Sequence, residues 1–84
     1  MKAKIAFLLG SDSDFPQVEK GIATLRRLGI RVDVEVSSAH RTPERTLQLV
    51  REFEARGVEV IIAAAGGAAH LPGVVASHTV LPVL

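Results

Sequence analysis

The sequence predicts an α/β domain: a doubly wound parallel sheet between two helical layers. Three observations carry this expectation. Short apolar runs alternate with stretches whose apolar residues recur at helical spacing. The first two helical stretches each open on a cap-then-proline pair and close on a glycine. Successive strands are separated by enough chain for a crossover helix, and such connections pair strands in parallel with a right-handed hand.

The first strand is read from Lys4 to Gly10, a short apolar run that ends in a polar loop, as a strand buried on both faces does. Asp14 stands before Phe15-Pro16, so it is expected to cap a helix whose first turn tolerates proline. Val18, Ile22 and Leu25, at i, i+4 and i+7, form that helix's apolar stripe, and Gly29 stops it.

Ile30 to Val36 alternates apolar and charged residues with period two, which predicts a strand covered on one face only and placed at a sheet edge. Ser37 to Arg41 form a polar loop. Thr42-Pro43 then repeats the helix-opening signature, Leu47, Val50 and Phe53 supply the stripe, and Gly57 closes the second helix. Val58 to Ala65 is again almost continuously apolar and reads as a central third strand, and a third helix is expected from Val74 to His78.

Leu81-Pro82-Val83-Leu84 has the character of a fourth strand's beginning. The expectation is one domain over residues 1–84, the amino-terminal part of a longer fold or a truncated chain. With strand two at an edge and strands one and three central, the strand order begins 2-1-3, the flavodoxin-like arrangement. Its order reverses between strands one and three, and ligands of such sheets bind there, at the carboxyl ends of the strands.

Composition narrows the function. The chain has 84 residues and no cysteine, which excludes disulfides, a thiolate nucleophile and Cys-ligated metal. Ten Lys plus Arg stand against nine Asp plus Glu, and the basic residues are spread among the acids, so no nucleic-acid footprint is expected. No apolar run approaches the roughly 20 residues of a membrane helix. Met1-Lys2-Ala3-Lys4 leads straight into the first strand without a cleavage region, and a soluble cytoplasmic protein with no membrane partner is expected.

Three loops meet at the point where the sheet order reverses. The first, Gly10-Ser11-Asp12-Ser13-Asp14, offers backbone amides and serine hydroxyls to a phosphate ahead of a helix, and carboxylates suited to sugar hydroxyls. It is neither a Walker A motif nor G-x-G-x-x-G. The plainer account is a turn with Asp14 as a helix cap.

The second loop, Ser37 to Pro43, sets His40 beside Arg41: a group that titrates near neutrality next to a bidentate fork for phosphate or carboxylate. A solvated histidine beside a surface arginine is the alternative. The third, Gly66-Gly67-Ala68-Ala69-His70-Leu71-Pro72-Gly73, is rich in residues that let backbone approach a ligand, or that merely clear space for helix three. His40, His70 and His78 lack the spacing of a helical metal pair, so no metal is expected, and His78 reads as a surface residue.

Gly10-Ser11-Asp12-Ser13-Asp14, Ser38-Ala39-His40-Arg41-Thr42-Pro43 and Ala65 to Gly73, in this order and at these distances, closely resemble the N5-carboxyaminoimidazole ribonucleotide mutase family (class I PurE) of purine biosynthesis. The resemblance covers the whole chain but only about the first half of a typical member. It implies an isomerase that moves the carboxylate of N5-carboxyaminoimidazole ribonucleotide from the exocyclic nitrogen to ring carbon 4, with no cofactor, ATP or metal.

Carried over, His40 is the catalytic acid and base, and Ser11, Asp14, Ser38 and Arg41 bind the ribose phosphate part. Gly67, Ala68, His70 and Leu71 shape the pocket that retains carbon dioxide. The intact third loop resembles the mutase rather than the related carboxylase class, and family members form octamers.

Two readings compete with this one. A phosphoacceptor receiver domain shares the 2-1-3 order but needs an aspartate at the end of strand three, where this sequence has Ala63-Ala64-Ala65-Gly66. A passive nucleotide-binding module would keep Ser11, Asp14 and Arg41 and do no chemistry at His40.

Overall fold

In the computed structural model, which describes residues 4–39, 41–66 and 70–84, strand β1 (Lys4–Leu9) lies between β2 (Arg31–Val36) and β3 (Val60–Ala64). Both pairings are parallel and the order is β2-β1-β3, with Ile5 opposite Val32 and Val60, and Leu9 opposite Val36 and Ala64. His40, Gly67 and Ala68, three of the expected site residues, and Ala69 of the third loop lie outside the described residues.

The centre goes to β1 because it is apolar on both pleat faces: Ala6, Phe7, Leu8 and Leu9 are all buried. Ala6 and Leu8 join one core cluster with Ile61 and Ala63 of β3, Leu49, Val50 and Phe53 of helix α2 (Pro43–Ala55), and Leu71 and Val75 of helix α3 (Leu71–Ala76). Phe7 and Leu9 point to the other face, that of helix α1 (Phe15–Arg27), whose Ile22 is buried. Val18 and Leu25, the rest of its expected stripe, are half-buried.

The start of α1 differs from expectation. Asp14 has helical dihedrals and makes no side-chain cap hydrogen bond. A single 3₁₀ turn over Asp12–Asp14 precedes the helix, and Ser11 caps it, its Oγ accepting from the Ser13 N–H at 3.3 Å. Asp14 is already inside helical geometry, so its carboxylate cannot turn back onto the amides of the next turn. The other end follows the sequence: Gly29 takes φ +82°, and the Ile30 N–H reaches the Leu25 carbonyl at 3.1 Å.

The buried stripe of α2 is turned relative to the expected Leu47, Val50 and Phe53. Thr46, Leu49, Val50 and Phe53 are buried, and Leu47 is half-buried. A threonine replaces an apolar residue on the inner face because its hydroxyl finds Ser37 Oγ at 2.8 Å, so its burial carries no unpaired polar group. Gly57, at φ +83°, ends the helix as expected.

The third strand is shorter than the apolar run that encodes it. Val58 is a buried connector, and β3 runs only from Val60 to Ala64. Its outer edge is taken by residues 81–84: Ile61 N–H donates to the Pro82 carbonyl (3.0 Å) and Leu84 N–H to the Ile61 carbonyl (2.9 Å), with Ile61 and Val83 in a parallel bridge.

Helix α3 begins at Leu71, three residues before the expected Val74, and ends at Ala76 rather than His78. Pro72 belongs to its first turn, the same placement that Pro16 and Pro43 have in α1 and α2. No helix among the described residues is long and apolar enough to cross a membrane.

Candidate functional site

The β1 ladder continues one step beyond the strand on both sides. Gly10 N–H donates to the Ala64 carbonyl at 2.9 Å, and Ser37 N–H donates to the Leu9 carbonyl at 2.8 Å. The three loops therefore leave the sheet from one level, at the carboxyl ends of its strands. A cleft of ≈ 350 Å³ opens there, with Gly10, Ser11 and Asp12 on one side and Ser38, Arg41 and Arg45 on the other. Arg41 and Arg45 also line an adjoining depression of ≈ 400 Å³ beside Pro43 and Glu44.

Ser37, Ser38 and Thr42 of the second loop belong to a cluster of hydroxyls and carbonyls. Ser37 Oγ lies 2.8 Å from Thr46 Oγ1 and 3.2 Å from Thr42 Oγ1, and Thr42 Oγ1 donates to the Ser38 carbonyl at 3.1 Å. Thr46 Oγ1 also lies 3.2 Å from the Thr42 carbonyl. Ser37 is 3% exposed and Thr46 0%. Thr42, at the cap position of α2, uses its hydroxyl here and makes no cap bond to the helix. Ser38 Oγ accepts the Arg41 N–H at 3.1 Å, which fixes the turn and leaves its own proton to donate.

Asp14 lies behind loop one, 8% exposed. Its carboxylate lies against Gly66, where a Cβ would come 3.3 Å from Oδ1; at Gly10 a Cβ would meet the Ala65 Cβ at 3.1 Å and stand in ordinary contact with Oδ2 at 3.7 Å. Glycine at 66 makes room for this side chain, and glycine at 10 lets the backbone after β1 approach Ala65.

Of the residues expected to form the site, Ser11, Ser38 and Arg41 line one cleft, and Asp14 stands between loops one and three. His70 is exposed at the cap position of α3, while Leu71 is 2% exposed and its side chain belongs to the core. His78 is exposed, as expected. Among the described residues no group of three or more His, Asp or Glu could hold a metal ion.

Arg45 is a cleft residue that sequence reasoning did not single out, and Asp12 entered it only as one of the two loop-one carboxylates, not as a named site residue. Arg45 follows Arg41 by four residues, one helical turn, which is the signal that could have found it. Hydroxyls, two guanidinium forks and one carboxylate around a cleft suit a ligand with an anionic group and hydroxyls of its own.

Comparisons with known proteins identify the family of the chain. A family model described as AIR carboxylase matches residues 4–84. The N5-carboxyaminoimidazole ribonucleotide mutase of Saccharolobus solfataricus is 52% identical over 81 residues, which cover 96% of this chain and 51% of that protein. Its namesake in Pseudomonas aeruginosa is 51% identical over 84 residues, 100% of this chain and 52% of the relative. Its namesake in Pyrococcus horikoshii is 49% identical over 83 residues, 99% and 47% of the two.

The chain thus spans about half the length of the curated relatives it matches. Among solved structures, that of Treponema denticola PurE is similar with a TM-score of 0.92 at 28% identity, over 99% of this chain and 53% of that one.

Proposed function

This chain belongs to the AIR carboxylase family, and on that footing we propose that it takes part in the N5-carboxyaminoimidazole ribonucleotide mutase reaction of purine biosynthesis. The carboxylate leaves the exocyclic nitrogen as carbon dioxide while His40 delivers a proton to that nitrogen. Carbon dioxide, retained in the pocket, then bonds to ring carbon 4, and His40 takes up the proton that carbon loses. One group returns to its starting state in a single cycle, as suits a side chain that both gives and takes a proton.

Ser11, Ser38 and Arg41 hold the phosphorylated ribose, Asp14 takes its hydroxyls, and Gly67, Ala68, His70 and Leu71 shape the carbon dioxide pocket. The reaction is an isomerisation and calls on no metal, ATP or other cofactor.

The observation that carries this reading is the convergence of Ser11, Ser38 and Arg41, from loops after two different strands, on one cleft where the sheet order reverses. It occurs in a chain about half identical to named mutases over nearly all of its length. A cytoplasmic location and a homo-octameric assembly belong to the same reading. Sedimentation would measure the assembly directly.

The test is conversion of N5-carboxyaminoimidazole ribonucleotide by the protein and by its His40→Asn variant, with circular dichroism to show that the fold is kept. The variant is expected to lose activity by roughly 100-fold or more, and the parent to keep its turnover in a chelator. Equal turnover in the two proteins would remove His40 from the chemistry.

A further inference from the structure

We infer that Arg45 is a second anion-binding side chain of the cleft and meets the phosphate of a phosphorylated ligand together with Arg41. The choice of ligand rests on the ribonucleotide reading above, while the geometry stands apart from it. Arg45 lies in the first turn of α2 and lines both the cleft and the adjoining depression, as Arg41 does, so the two guanidinium groups share one rim. Among the described residues the cleft lining carries these two cations against the single carboxylate of Asp12, a balance that suits a dianion.

Arg45 is held in place but only weakly. Its Nε donates to the Val36 carbonyl at the end of β2 at 3.4 Å, and its Nη2 lies 3.6 Å from Glu35 Oε1. Glu35 shares its charge with Arg56, whose Nη1 is 3.9 Å from Oε2. Both Arg45 contacts are long, and a guanidinium has five N–H donors in a planar fork, so donors remain beyond Nε and Nη2 among the described contacts. The side chain is 53% exposed, which leaves the charge accessible from solvent. The competing account is an ordinary surface ion pair with Glu35, which would contribute nothing measurable to binding.

Titration of the protein with ribose 5-phosphate, followed by amide chemical shifts, separates the two accounts. Arg45→Met is expected to weaken binding roughly three- to tenfold, Arg45→Lys to keep most of it, and the loss to shrink as salt shortens the Debye length. Glu35→Gln keeps the cation and removes its tether, and is expected to bind as well as the parent. Unchanged affinity in Arg45→Met overturns the inference, and so does a loss in Glu35→Gln as large as that in Arg45→Met, because the ion pair and not the cation would then matter. Binding abolished by Arg41→Met but untouched by Arg45→Met overturns this inference alone. No binding by the parent protein overturns the ribonucleotide reading and the inference with it.

Discussion

At the carboxyl end of β2, Ser37, Thr42 and Thr46 share hydrogen bonds, with Ser37 3% and Thr46 0% exposed; along the flank of the same strand, Lys4, Asp33, Glu35, Arg45, Glu52 and Arg56 share charge at the surface. The hydroxyl cluster has three neutral side chains. The ionic string has six charged ones, with Arg56 pairing to Asp33 at 3.5 Å, Glu35 at 3.9 Å and Glu52 at 3.0 Å, and Arg45 to Glu35 at 3.6 Å.

Counted as contacts, the string looks stronger. Burial reverses the ranking. A buried hydroxyl that loses its partner has no water to turn to, whereas an exposed ion pair is replaced by hydration at little net cost. The smaller network, which supports the loop carrying Ser38 and Arg41, is therefore the more sensitive of the two.

The largest effect is expected at Thr46. Thr46→Val keeps the shape but takes from the buried Ser37 hydroxyl its 2.8 Å partner, leaving it Thr42 Oγ1 at 3.2 Å, and should destabilise the fold by about 1 kcal/mol in urea denaturation. Adding Ser37→Ala removes the other half of the 2.8 Å bond, so the double variant should lose less than the sum of the two single losses. Additive losses would mean that the two hydroxyls do not act as a unit.

Arg56→Met breaks three ion pairs and the cation's contact over the Phe53 ring at 5.8 Å, yet should cost no more than about 1 kcal/mol, and less in high salt. A loss at Arg56 exceeding that at Thr46 would overturn the ranking by burial.

Smaller again, Lys4→Met removes the Nζ contacts to Asp33 at 3.8 Å and to the Arg56 carbonyl at 3.2 Å. It should lower stability by a few tenths of a kcal/mol, near the resolution of a melting curve. Comparing Arg56→Met with Lys4→Met at two salt concentrations sharpens the picture further, because both losses should shrink together if the string is one solvent-screened network.

Much of this arrangement was legible residue by residue. Charged positions alternating through Arg31, Asp33 and Glu35 put β2 at an edge, and the unbroken apolar run of β1 put it in the centre. The helix ends at Gly29 and Gly57 were equally plain, since only a residue without a Cβ takes those φ values without strain. The burial of Thr46 was not legible. Taken locally it is a polar residue beside the more apolar Leu47, and only the arrival of Ser37 from the end of β2 makes the inner face its low-energy place.

The candidate site divides in the same way. Ser11, Ser38 and Arg41 could be found because the family resemblance picks them out of loops whose position follows from strand order. Asp12 and Arg45 could not, because whether they face the cleft depends on how the 3₁₀ turn after β1 and the first turn of α2 are rotated. The cap of α1 moved from Asp14 to Ser11 for a related reason: the extra turn uses Asp14 as helix rather than as boundary.

The sequence by itself determined the order of strands and helices, the parallel sheet with β1 at its centre, and the end of the sheet at which a ligand can bind. These follow from periodicity and from Gly and Pro stereochemistry, which act over a few residues. Tertiary structure alone decided which hydroxyls are buried, which arginines share a rim, and which acid lies between two glycines. Those outcomes depend on segments far apart in the chain meeting at defined rotations, and no short-range rule carries that information.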